Sequence, residues 1–480
     1  MYKKLFILAT LLVSLPLNAA EFWVSPVGLD TNDCRTQATA CKSIQRGISL
    51  LTAGDTLYIK AGLYKENSGQ SSFTKRCGWF DPVVASLCIN TSGTPEMPIT
   101  ISAAPGDERK VIIDSEKTRA GVQIQGKDYI VFNGLTFKNQ FTVGISSWGQ
   151  TENAVADIAR LAEGIVIQNS NFFNTYGNAG DNISSIAMWG SKDWVVRNNL
   201  IDGVYAGGTT VAAGIQSYGV INALIEHNTI RNAGFGIFWK DHYVKDSTTR
   251  ELWQESEIRY NLIDAPKVGI RVSIRGDKSP EAGHNHFHHN IITGLDSNGI
   301  GIEYAMAGAY AISGTLTVNN NLIDGRGKTG SVGLSVDASK DVKFYGNILR
   351  GLNVPLQLLK YSDTKLPSLT YAASNIYDSK VTIIADRYSP TSKMFDSLTS
   401  WKQVQTGSLS TVNTNYPDAT SISVNSDLLF QDLSKYKYQT TSTALNFMGS
   451  EKNAGPYETG TETIGITFLA PDRPPEATLE

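Results

Sequence analysis

The chain has little of what would mark several common classes of protein. Four cysteines occur in 480 residues, none in a CxxC pair and none beside a histidine, which argues against a zinc finger. All four lie toward the front, so in an oxidising compartment proximity pairs Cys34 with Cys41 and Cys77 with Cys88. A formal net charge of −3 gives no global field to attract a polyanion, so nucleic acid is not an expected partner. Any basic binding surface must therefore be local. No apolar run is long enough to span a bilayer, and no membrane partner is expected. The one stretch that comes near, Leu5 to Leu15, follows Lys3 and Lys4 and precedes Asn18-Ala19-Ala20, the pattern of a cleaved export signal. A secreted or periplasmic monomer is the expectation.

What the chain has in abundance is a repeat. Short strands open at GISSWG (144), SIAMWG (185), GIQSYG (214), GIFWKD (236), GIRVSI (269), GIGIEY (299) and GLSVDA (333). Between them lies a hydrophobic stretch around an asparagine: Asn133, Asn169, Asn198, Asn228, Asn261, Asn290, Asn321, Asn347 and Asn375. Asn133 to Asn169 spans 36 residues and Asn321 to Asn347 spans 26. Helical repeats of that length need amphipathic helices, but here the apolar pattern alternates with period two and is broken by Gly and Asn. The fold this predicts is all-β: a single-stranded right-handed parallel β-helix. Helical spacing over Cys41–Leu51 predicts a capping helix at its front. The asparagines are expected in left-handed turns, stacked as a structural ladder.

The predicted boundaries are a signal peptide over 1–20, a cap and first coils over 21–110 and the β-helix core over 111–378. Irregular coils follow over 379–463, and a disordered tail over 464–480.

Period two also sorts the side chains. If each Ile after the Gly faces inward, the residue three places later faces out. That outward column reads Trp148, Trp189, Tyr218, Lys240, Ser273, Glu303 and Asp337, flanked by Phe238, His242, Arg271 and Arg275. Flat aromatic rings on successive coils suit the faces of sugar rings, and arginine clamps a carboxylate through paired hydrogen bonds. Together they suggest a groove for an acidic polysaccharide. Such a polymer can be cut by β-elimination, in which the uronate carboxylate is neutralised, the C5 proton is removed and the glycosidic oxygen departs. Lys240 is the expected base, with its pKa lowered by nearby charge, and His242 the rival. Glu303 is placed to hold a cation or orient Arg271. Calcium is the candidate cation, although the acidic residues show no calcium-loop spacing. The histidines His284, His286, His288 and His289 read as structural, since alternate residues of a strand diverge.

The segment FWVSPVGLD…CKSIQRGISLLTAGDTLYIKAGLYKE resembles the opening of many secreted β-helix polysaccharide lyases. More narrowly, EIRYNLIDAPKVGIRVSIRGD resembles the chondroitinase B and alginate lyase family, polysaccharide lyase family 6. The resemblance of architecture extends over about residues 21–460. It implies Lys240 as base and an arginine of GIRVSIRGD as the acid or its assistant. Gly276-Asp277 points to Arg275, and counting from Gly269 points to Arg271. Two departures stand against the family pattern: the Arg-His-Gly triplet is absent, and HYVKDSTTRELWQ lengthens the Lys-to-Arg spacing. Two other readings compete. One is a glycoside hydrolase using Glu303 and Asp337, whose chemistry needs two carboxyl groups about 5–10 Å apart. The other is a sugar-binding β-helix without catalysis. No DPH motif supports an epimerase.

Overall fold

In a computed structural model of the chain, the described residues are 19–68, 84–124, 126–148, 156–157, 161–178, 182–206, 212–241, 244–245, 256–264, 267–274, 284–295, 297–304, 312–336, 339–360, 368–439, 441–449, 452–459 and 462–471. Three long sheets run through them, two of 12 strands and one of 13. The chain visits them in rotation. After Val143–Trp148 in the third sheet come Val166–Gln168 in the first, Asn171–Gly177 in the second and Ile183–Lys192 in the third again. Neighbouring coils pair parallel along all three sheets, up to the antiparallel strand Lys393–Phe395. This is the predicted parallel β-helix. Twisted strands impose the right hand on crossovers of this kind.

The interior explains the Gly-Ile repeat. Ile145, Ile186, Ile215, Ile237, Ile270, Ile300, Leu334, Leu356 and Ile383 pair one above another as a single buried aliphatic column. The glycine before six of the nine permits close approach of coils. A Cβ at Gly236 would lie 2.6 Å from the Gly269 carbonyl and 2.4 Å from the Ile263 side chain.

The asparagine ladder is real, but it differs from the expected one in two ways. Its buried members are Asn199, Asn228, Asn261, Asn290, Asn321, Asn347 and Asn375. Each of the first six donates its backbone N–H and its amide Nδ2 to the next Oδ1, as Asn228 does to Asn261 at 3.0 Å each. The left-handed residue is the one before each of these, such as His227 (φ 55°), Tyr260 (φ 52°) and His289 (φ 54°). Asn133, Asn169 and Asn198 belong instead to an outer stack, where Asn198 donates to Asn169 at 2.6 Å and Asn169 to Asn133 at 2.7 Å. A turn between two strands holds two such positions side by side, and sequence spacing cannot separate neighbours.

Both ends are closed, as exposed sheet edges require. The helix Ile44–Ile48, capped by the Ser43 hydroxyl, buries Ile44 and Ile48 at the front. Cys34 and Cys41 are disulfide-bonded beside it. Cys88 is also in a disulfide, and Cys77 lies outside the described residues. At the rear, the buried Asp418 accepts from Asn375, Trp401 and Tyr377 at 2.7, 2.8 and 2.9 Å, ending the ladder on a carboxylate. The irregular segment then roofs the later coils of the second sheet. Outward Ile291, Leu322, Ile348 and Ile376 are buried against Leu429, Phe430, Tyr436 and Tyr438. Part of the segment read as a disordered tail is tied down: Gly465 donates to Tyr260 O at 2.8 Å and Thr467 to Asn198 Oδ1 at 2.7 Å. Residues 472–480 are outside the described part.

Candidate functional site

With the later coils of the second sheet roofed, the outer faces of the third and first sheets carry the groups that bear on function. On the third sheet the strand register aligns the predicted column from Trp148 to Glu303. Trp148 pairs with Trp189, Trp189 with Tyr218, Tyr218 with Lys240, Lys240 with Ser273, and Ser273 with Glu303. A parallel column beside it runs Gln216, Phe238, Arg271, Gly301, Ser335 and Gln357. Because the register is known, the spacing of the two cations follows. Arg271 lies two residues before Ser273, the partner of Lys240. With strands about 4.8 Å apart and about 3.3 Å per residue, the Lys240 and Arg271 Cα atoms stand about 8 Å apart. For Trp148, Lys240 and Glu303 the description extends to backbone register alone, while His242, Arg275 and Asp337 lie outside the described residues.

The aromatic platform is less open than the sequence implied. Trp189 is 5% exposed and Phe238 3%, and of the described aromatics in these columns Tyr218 alone is half-open. The cause is a second layer of apolar packing. Trp189 meets Tyr218 edge-on at 5.8 Å and packs with Val143 and Ala187. Phe238 stacks on Phe235 at 5.1 Å with Ala213 and Val268. Outward-pointing and solvent-exposed are different properties, and period two reports only the first. The packing gives Arg271 a seat. Its guanidinium lies 5.2 Å from the Phe238 ring and 5.4 Å from the Phe235 ring, so two cation–π contacts fix a half-buried charge.

The first sheet presents a different face. A cleft of about 710 Å³ is lined by Asp193, Trp194, Glu257, His284, His286 and Lys343, among others. Glu257 pairs in register with His286 on the next coil, and Arg259 with His288. His286 and His288 share the outer face while Phe287 between them is buried, so the histidines do not diverge as expected. His288 Nε2 is 2.7 Å from Glu257 Oε1, and its Nδ1 is 2.6 Å from His289 Nδ1. Burial pushes the His288 imidazole below its ordinary value despite the carboxylate, and pushes His289 down to about 4. Burial alone would raise Glu257, but the His288 hydrogen bond and the Arg259 charge hold it below the usual carboxylate value. A neutral His288 donating Nε2–H to a charged Glu257 satisfies this network. Among the described residues, Glu257, His286 and His288 form the group of metal-ligand type, their donor atoms within 4.8 Å of one another. Imidazole nitrogens do not suit calcium. The sequence signal was present, since two histidines two apart on a strand face the same way.

No protein-family profile matches the chain, and no curated protein is similar to it. Among solved structures, it is similar to a complex of XylC with xylose at 12% identity and TM-score 0.45, over 76% of this chain and 84% of that one. It is similar to a mannuronic acid-specific family 6 polysaccharide lyase from human gut microbiota at 14% identity and TM-score 0.42, over 77% of each chain. A pectate lyase also matches, at 14% identity and TM-score 0.41, over 92% of this chain and 97% of the other. These are remote likenesses, and the fold assignment rests on the strand pairing described above.

Proposed function

We propose that the protein is an exported polysaccharide lyase that cleaves a uronate-containing polymer by β-elimination on the outer face of the third sheet. The observation that carries this reading is the register. It sets Lys240 beside Tyr218 and one rung diagonally from Arg271, whose charge is held over Phe235 and Phe238. In this reading Arg271 neutralises the uronate carboxylate, which acidifies the C5 proton. Lys240, deprotonated by the neighbouring positive charge, removes that proton. The electron pair forms the C4–C5 double bond as the C4–O bond breaks, and the leaving oxygen takes up a proton. Tyr218 supplies a partly open ring for an adjoining sugar. Of the two arginines the resemblance allows, Arg271 is the described one, and its contacts with Phe235 and Phe238 support the role.

The test is a panel of uronate polysaccharides followed by ultraviolet absorbance of unsaturated products. At least one polymer should give a rise, and Lys240→Ala should lower turnover about 10²–10⁴-fold, the usual contribution of a general base. New reducing ends without unsaturation, or full activity in Lys240→Ala, would remove the proposal.

A further inference from the structure

We propose that Glu257, His286 and His288 bind a divalent metal ion of the zinc class, on a face of the helix that the lyase reading does not use. Three features support the assignment. First, the donor set is two imidazoles and a carboxylate, the combination zinc accepts while keeping a fourth position open. Second, the fold brings the donors together: period two puts both imidazoles on one face, and parallel register sets Glu257 beside His286. Donors within 4.8 Å of one another are near the separation an ion demands. Bonds of about 2.1 Å in tetrahedral geometry need donors about 3.4 Å apart. The present 2.7 Å contact of His288 with Glu257 would open slightly as the ion replaced the shared proton, and the exposed His286 has room to swing inward.

Third, outer partners already orient the ligands, as metal sites require. His288 Nδ1 meets His289, and the second Glu257 oxygen meets Arg259 at 3.1 Å. The Arg259 charge that would otherwise repel a cation is itself paired with Glu226 at 2.8 Å. The fourth position would face the cleft, where Thr315, Thr317 and Lys343 stand ready for a water or an anionic oxygen.

The experiment uses the exported chain without a histidine tag, stripped with a chelator and titrated with Zn²⁺ against a chromophoric competitor. One equivalent should bind, and the melting temperature should rise with free Zn²⁺. His286→Ala and Glu257→Gln should each weaken binding at least about 100-fold, since even orienting partners are worth 10–100-fold. His227→Ala, outside the group, should leave it unchanged. Circular dichroism of His286→Ala separates ligand loss from misfolding, because that side chain is exposed. Failure of the wild-type chain to take up Zn²⁺, or uptake unaffected in both ligand variants, would overturn the assignment.

Discussion

Replacing Asn261 by alanine tests how much of the solenoid's stability resides in its ladder. Asn261 Oδ1 accepts from the backbone N–H and the Nδ2 of Asn228, and its own Nδ2 donates to Ile225 O, Arg259 O and Asn290 Oδ1. The side chain is fully buried, so no water replaces these bonds. Of the groups left behind, the Asn228 N–H suffers most, because the Asn228 amide keeps Val196 O and Glu226 O as acceptors. One orphaned buried donor costs about 1–3 kcal/mol, and the other bonds add about 1 kcal/mol or less each after rearrangement. A total of about 3–4 kcal/mol follows. For a 480-residue chain melting as one unit, an unfolding entropy of about 2 cal/mol/K per residue sums to about 1 kcal/mol/K. The melting temperature should therefore fall about 3–4 °C by calorimetry, and further if the coils melt in sections. Asn222→Ala is the control, since that side chain stacks on Asp193 at the exposed edge. A shift below about 1 °C, or one equal to the control's, would refute the claim that the ladder's bonds are net stabilising.

Three other outcomes are expected. Arg271→Ala should cut turnover about 10²–10³-fold, and Arg271→Lys should restore only part, because lysine lacks the planar group seated over two rings; steady-state kinetics on the cleaved polymer measures both. Burial alone would raise the Glu116 carboxyl, but hydrogen bonds from Arg119, Lys65 and Ser68 outweigh it and hold it at about 2. Its folded pKa lies below the unfolded value, so its contribution is complete above about pH 4.5 and lost as pH falls toward 2. Glu116→Gln should therefore be less stable than wild type at neutral pH, with the gap closing in acid unfolding curves. Cys34→Ser should loosen the front cap by about 2–3 kcal/mol, the loop-closure value for a bridge seven residues apart. Hydrogen exchange around the helix Ile44–Ile48 should rise while the central coils stay protected.

The fold was legible because a β-helix writes the same requirement once per coil. The Gly-Ile pair recurs because a side chain at Gly236 would strike the Gly269 carbonyl, and so on up the column. One repeated steric demand fixed the strands, their faces and even the register from Trp148 to Glu303. The ladder was legible only to within one residue, since Asn198 and Asn199 are adjacent and play opposite parts. The site was legible as an address but not as an environment. That Phe238 points outward follows from period two; that it is covered depends on Phe235, Ala213 and Val268, which the alternation leaves undetermined. The grouping of Glu257 with His286 went unread because it joins residues one coil apart.

A solenoid of three sheets has three outer faces, and each must be covered or made fit for water. Here the later coils of the second are roofed by the chain's own C-terminal segment, which covers the outward Ile291, Leu322, Ile348 and Ile376. The third combines small apolar clusters with the fixed charge of Arg271, as suits a polymer lying along stacked coils. The first is laddered with polar pairs, the ion pair of Glu226 with Arg259 and the hydrogen bond of Glu257 with His288, across consecutive coils. The proposed lyase column and the proposed metal group therefore share neither a strand nor a face. The chemistry proposed at Lys240 and the ion binding proposed at His286 should be separable by single substitutions, because a core of buried aliphatic and aromatic side chains lies between the two sheets.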